Sequence, residues 1–247
     1  MGAMMKQTGV LPLGIMALFT AVTTHAAAEP TVARYAHPTD IYGHGAVEDG
    51  EFATLEVTTA SGQMFDISYA NGVFEGPAPF VYDLDGDGVA EIIATHSTFD
   101  QGARVQIFAQ RDTGLVPIGS TAPIGQRNRW LAIAGFADFN QDGVIDIAYV
   151  DRPHLAKVLR VVSARFAGDQ LTLSSLGTQT QLSNHHYKSP QIEGGVRACE
   201  GQLPVIMTAN SDWTQVVATK WNGQGLVSTP VAAYHSSDSF TPFLECE

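Results

Sequence analysis

The stretch Asp83-Leu84-Asp85-Gly86-Asp87-Gly88-Val89-Ala90-Glu91 recurs as Asp138-Phe139-Asn140-Gln141-Asp142-Gly143-Val144-Ile145-Asp146, and the two copies begin 55 residues apart. Both place oxygen-bearing side chains at loop positions 1, 3, 5 and 9 and a glycine at position 6. Alternate acids on a tightly curled loop converge on one point, the glycine permits the sharp turn, and a backbone carbonyl at Val89 or Val144 can add a further oxygen. Converging carboxylates repel one another unless a cation lies between them. The spacing therefore predicts two Ca²⁺ sites, formed by Asp83, Asp85, Asp87, Val89 and Glu91 and by Asp138, Asn140, Asp142, Val144 and Asp146.

Position 9 distinguishes this loop from an EF-hand, which needs a bidentate Glu at position 12 and flanking helices. Position 12 here is Ala94 in one copy and Tyr149 in the other. Each loop runs on into a β-branched segment, Ile92-Ile93-Ala94-Thr95 or Ile147-Ala148-Tyr149-Val150, so each cage is expected between two strands.

Around each loop the pattern reads strand, loop, strand, turn, strand, strand. The expected strands are Pro79 to Tyr82, Glu91 to Thr95, Arg104 to Gln110 and Leu115 to Ser120 in one copy. In the other they are Leu131 to Ala137, Asp146 to Val150, Lys157 to Phe166 and Leu171 to Leu176. Fainter copies without acidic loops flank them, at Phe52 to Thr58, Gln63 to Ala70 and Val73-Phe74, and at Leu203 to Ala209, Thr214 to Trp221 and Leu226 to Ala233. A four-stranded meander repeated at such a period is the unit of a propeller blade. The expected fold is all-β, a small β-propeller of about four blades over roughly 43–76, 77–121, 129–178 and 187–235. Thr31 to Ala36 is a candidate to close the ring on the last blade.

Phe136-Ala137-Asp138-Phe139-Asn140-Gln141-Asp142-Gly143-Val144-Ile145-Asp146-Ile147-Ala148 resembles the FG-GAP/VCBS-type repeat of integrin-α-like β-propellers. The resemblance implies that positions 1, 3, 5 and 9 and a backbone oxygen at 7 ligate Ca²⁺ in both loops. Propellers of the integrin-α kind have seven blades, more than this chain accommodates, so their ligand recognition does not carry over.

Residues 1–28 hold one charge, Lys6, then the apolar run Val10 to Val22 and the small residues Ala26, Ala27 and Ala28. This is the pattern of a secretory signal peptide cleaved after Ala26 or Ala28, too short in its apolar core to span a bilayer, with 29–247 as the mature domain. It implies a secreted or periplasmic location. The formal net charge of −12 excludes the basic footprint that nucleic-acid binding requires. Cys199 and Cys246 are the only two cysteines; in an oxidising compartment a disulfide between them is possible, and two free thiols, with Cys199 buried, are the other reading.

In a propeller the calcium loops share one face, and the inter-blade connections with the strand 2 to 3 turns share the other. That second face collects Tyr42, His44, His96, Arg127, Arg129, Trp130, Asp151, Arg152, His154, His186, Tyr187, Asp212 and Trp213. Rings supply apolar contact and polar groups fix orientation, so the face is a candidate for recognising a protein, glycan or small molecule. The function expected is a calcium-stabilised binding or interaction module. The alternative is a hydrolase or lyase using His154 with Arg152 and Asp151. No nucleophile elbow, phosphate-binding loop or dinucleotide fingerprint occurs, and no catalytic residue is assigned.

Overall fold

A computed structural model describes residues 30–59 and 61–246, so the signal peptide expected over 1–28 lies outside the described residues. The chain is all-β, with one four-residue α-helix near its C-terminal end. The strands form three antiparallel sheets. The first contains β1 (Pro30–Pro38), β2 (Glu51–Thr59), β3 (Met64–Ser68), β4 (Gly72–Glu75), β5 (Phe80–Tyr82), β6 (Glu91–Thr98), β7 (Gly102–Arg111) and β8 (Gly114–Ser120). The second contains β9 (Leu131–Ala137), β10 (Asp146–Asp151), β11 (Val158–Ala167) and β12 (Gln170–Thr180). The third contains β13 (Leu182–Ser183), β14 (Gly195–Arg197), β15 (Val205–Asn210), β16 (Gln215–Trp221) and β17 (Leu226–Ala233).

Both meanders that carry an acidic loop are present, as β5 to β8 and as β9 to β12. Among the described residues no closed propeller is found, and the first two expected repeats share one sheet. The reason lies on the outer edge of β6. The three residues of β5 pair only with Glu91 to Ile93, which leaves His96 to Thr98 open, and β4 fills that stretch from Gly72↔Thr98 to Phe74↔His96. An open strand edge is a row of unmet N–H and C=O groups, and β4 is buried throughout its length. Nor does Thr31 to Ala36 reach the last repeat: β1 pairs with β2 from Pro30↔Thr59 to Pro38↔Phe52.

The three sheets stack face to face in sequence order. Ile93, Val105 and Ile107 of the first sheet share a cluster with Leu131, Ile133, Ile147 and Tyr149 of the second. Val150, Leu159 and Val161 of the second share another with Ile206, Val217 and Leu226 of the third. Gly135 sets the second contact. It lies at a register shift in β9 with φ 148°, and a Cβ there would come 2.8 Å from Val196 Cγ2 of the third sheet. A larger residue would push these sheets apart.

The C-terminal end folds back on the third sheet. A 3₁₀ turn over Ser237–Phe240 and the helix α1 (Thr241–Leu244) place Phe240 among Val205, Met207 and Val216. Cys199 and Cys246 are bonded, with Cα atoms 5.7 Å apart.

Candidate functional site

Strand direction sorts the candidate residues into two ends. β9 runs from Trp130 at one end to Asp138 at the other, and β10 returns from Asp146 to Asp151. Both acidic loops therefore sit at one end of the strands, and Trp130 with the Asp151 to His154 turn sits at the other. The two loops are neighbours, since Asp83, Asp85, Gly143 and Val144 line one groove together with Arg165.

In the first loop the side chains fold inward over their own backbone. Asp83 accepts from the N–H groups of Gly86 and Gly88 at 2.7 and 3.0 Å, Asp85 from Asp87 at 3.2 Å, and Asp87 from Val89 at 2.7 Å. Glu91 reaches back to accept from Leu84 N–H at 3.0 Å. One carboxylate oxygen each from Asp83, Asp85 and Glu91 lies within 4.8 Å of the others, a spacing that fits a hard cation. Burial, with the neighbouring charges of Asp85, Asp87 and Asp83, pushes the Glu91 carboxyl up to about 7, against the Leu84 hydrogen bond. Such a group is stabilised as an anion by a cation at its oxygens.

The second loop repeats the wiring: Asp138 accepts from Asp142 and Gly143 N–H, Asp142 from Val144, and Asp146 from Phe139 and the Ser163 hydroxyl. Burial raises Asp146 to about 6, opposed by Ser163 and Phe139. Position 6 has positive φ in both loops, 88° at Gly88 and 82° at Gly143. The loops differ at position 5, because Asp142 is paired with Arg165 at 2.5 Å. A protein cation already neutralises part of the second loop.

At the far end a parallel bridge between Val47 and Lys188 ties the segment before β2 to the segment before β14. His44 Nδ1 lies 2.8 Å from Glu75 Oε1, and Ser97 Oγ donates to the other oxygen of this 2 % exposed carboxylate. His154 Nε2 lies 2.8 Å from His185 Nδ1, and His185 Nε2 lies 2.9 Å from the Ser189 carbonyl. A carbonyl only accepts, so His185 carries its proton on Nε2 and His154 donates from its own Nε2. Trp130 stands beside both rings, with centroids 6.2 Å from His154 and 4.7 Å from His185. Burial above all, and with it the neighbouring His185, His44, His186 and Lys157, depresses His154 to about 4. His186 stacks on Trp213 at 3.7 Å and pairs with Glu193, which also accepts from Tyr234 OH at 2.7 Å.

Several expected face residues are placed as internal supports. Arg127 covers the Tyr42 ring at 5.0 Å and donates to the carbonyls of Tyr42 and Phe99. Asp151 is buried between Arg152 and Arg160, and Asp212 accepts from Thr214 Oγ1 within its own turn. His96 faces the interior of the first sheet, stacked on Tyr69 at 4.1 Å and 4 % exposed. Arg129, Trp130, Arg152 and His154 converge with His44 on one recess, and Tyr187 stands at its edge. The sequence reading did not single out Glu75, Ser97, Glu193 and Tyr234. An acid in the otherwise apolar Val73-Phe74-Glu75 is the one signal that marks Glu75, since buried carboxylates need partners.

His96 gives a test of the packing. Neither ring nitrogen has a hydrogen-bond partner among the described residues, and burial with nearby Arg104 lowers the ring to about 4. Between pH 6.5 and 4 the unfolded chain takes up a proton that the folded chain refuses. The stability is complete above pH 6.5 and falls as pH drops toward 4, by about 3 kcal/mol from this residue. Urea denaturation at pH 7 and pH 4.5 is expected to show His96→Phe losing less stability on acidification than the parent, by about that amount.

The strands and paired acidic loops define an all-β repeat protein with two adjoining candidate cation sites. Residues 49–149 match the family model described as FG-GAP-like repeat, a stretch spanning both loops, and over it the chain is a repeat protein of the FG-GAP type. No curated protein and no solved structure matches the chain. No helix among the described residues is long and apolar enough to cross a membrane.

Proposed function

We propose that the chain is an exported binding module in which the stacked sheets act as propeller-type blades. Ca²⁺ at the Asp83 to Glu91 and Asp138 to Asp146 loops braces one end, and ligand is held at the other. The observation that carries this reading is the division of β9 and β10. Their loop end gathers carboxylates, while their far end gathers Trp130, His154 and Arg152 beside His44 and the exposed Tyr187 ring. The first-loop carboxylates of Asp83, Asp85 and Glu91, within 4.8 Å of one another, suit Ca²⁺, whose chemistry here is structural: it cross-links strand ends through side-chain oxygens.

Binding rather than turnover is favoured by the use of the acids. Asp151 is held by Arg152 and Arg160, and Glu75 is spent on His44 and Ser97. Neither is left to act as an acid beside His154. The test is capture from arrayed saccharides, peptides and metabolites by the calcium-loaded protein. The expected result is binding that a His154→Ala/Tyr187→Ala variant loses while its melting temperature stays within a few degrees of the parent. Binding indifferent to those changes, or none to any class, contradicts the reading.

A further inference from the structure

A cavity of about 280 Å³ lies beside the His154 recess and shares only Arg152 with it. One wall is the connection from β8 to β9, which is tied to β7 where Thr121 N–H donates to the Val105 carbonyl and Ile124 N–H to that of Ala103. The other wall is the second sheet, and strand alternation fixes which of its side chains point there. Leu159 and Val161 of β11 pack toward the third sheet, so Arg160 between them faces the first. Ala148 and Val150 of β10 also pack toward the third sheet. Tyr149, the cross-strand partner of Arg160, and Asp151, which pairs with Leu131 of β9, therefore share the face of Arg160.

The polar groups on that face are wired as donors. Asp151 is 4 % exposed and accepts from Arg152 Nε and Nη2 at 2.7 and 3.1 Å and from Arg160 Nε at 2.9 Å. Both of its oxygens are taken, and two guanidiniums against one carboxylate leave a positive charge. Arg152 Nη1 and both Nη groups of Arg160 have no protein partner among the described residues, yet none belongs to the buried polar atoms left unmet, so they meet solvent. The same holds for the Tyr149 hydroxyl, although the residue as a whole is only 7 % exposed. Burial raises this hydroxyl above the ordinary tyrosine range, against the pull of Arg160, so at neutral pH it keeps its proton and donates. Facing these donors are apolar groups, Pro123, Ile124 and Leu131. Fixed cationic and hydroxyl donors beside an apolar wall match an anion that carries a hydrocarbon body.

We propose that this cavity binds a small apolar carboxylic acid in its ionised form, a site that goes beyond the ligand end at His154 and Tyr187 and does not rest on it. The two Nη groups of Arg160 donate in parallel to the carboxylate oxygens, the Tyr149 hydroxyl donates to one of them, and the hydrocarbon lies against Pro123, Ile124 and Leu131. A planar carboxylate fits the guanidinium fork, whereas inorganic phosphate has nothing to bury against the apolar wall. The cavity is at the small end of ligand pockets, which suits a single ring or a short chain.

The test is calorimetric titration of the calcium-loaded protein with benzoate and with hexanoate, each beside its neutral amide, and with inorganic phosphate. At least one acid is expected to bind about tenfold or more tighter than its amide, equivalent to about 1.4 kcal/mol, and tighter than phosphate. Tyr149→Phe keeps the ring and the Asp151 pairs and removes one donor; it is expected to weaken that acid about fivefold and leave its amide unchanged. Arg160→Lys keeps a cation beside Asp151 and removes the fork, and is expected to erase most of the preference for the acid. Should Arg160→Lys melt far below the parent, Tyr149→Phe alone decides. Neither acid binding up to about 10 mM, acid and amide binding equally, or phosphate binding as tightly as the acid would overturn the assignment. An acid preference untouched by Tyr149→Phe would place the carboxylate elsewhere and overturn it as well.

Discussion

Chelating calcium with EGTA is expected to lower the melting temperature of the calcium-loaded protein by about 10–20 °C. Each site filled at a free Ca²⁺ of about 100 times its dissociation constant contributes about 2.7 kcal/mol, and in a domain of this size each kcal/mol corresponds to about 2–4 °C. The two loops do not share this equally. In the first, oxygens of Asp83, Asp85 and Glu91 lie within 4.8 Å of one another with no protein cation among them. In the second, Arg165 already sits against Asp142. Asp85→Ala is therefore expected to remove more of the calcium response than Asp142→Ala, read from calorimetric scans with and without EGTA. Equal losses would show that Arg165 swings away when the second loop fills.

Opening the Cys199–Cys246 disulfide is the other large effect. The bond closes a span of 47 residues that includes β15 to β17, the 3₁₀ turn and α1. By the loop-entropy account a closure of that length contributes about 4 kcal/mol, so Cys199→Ser is expected to melt about 8–16 °C below the parent in calcium. Much of that loss is expected locally. Phe240 is 1 % exposed against Val205, Met207 and Val216, and the short terminal helix adds only the partly buried Phe243 and Leu244 to that contact. Hydrogen exchange over 237–244 should accelerate in the variant before the acidic loops are affected. Uniform acceleration across the three sheets would mean that the C-terminal end is no separate cap.

The loops and the two meanders around them were legible because their signals are local. Ligand spacing, a positive-φ glycine and alternating strands all act within about 40 residues. What escaped is decided by partners distant in sequence. That β4 joins β6 depends on how little of that edge β5 covers, and that β1 returns to β2 depends on the early strands packing into Leu55, Phe74 and Phe108. The same distance hid the supports of the far end. Glu75 meets His44 across 31 residues, Tyr234 meets Glu193 across 41, and Arg127 reaches Tyr42 across 85. His96 was read as a turn residue because its strand ends near it, but β6 runs on to Thr98 and carries the ring inside.

The central claim is that the two acidic loops are calcium sites that brace the end of the strands opposite the recess. Isothermal titration of Ca²⁺ into the metal-free mature protein tests it directly. The account predicts two sites per chain, with Asp85→Ala and Asp142→Ala each removing one. A chain that takes up no Ca²⁺, or whose stoichiometry neither substitution changes, would contradict it.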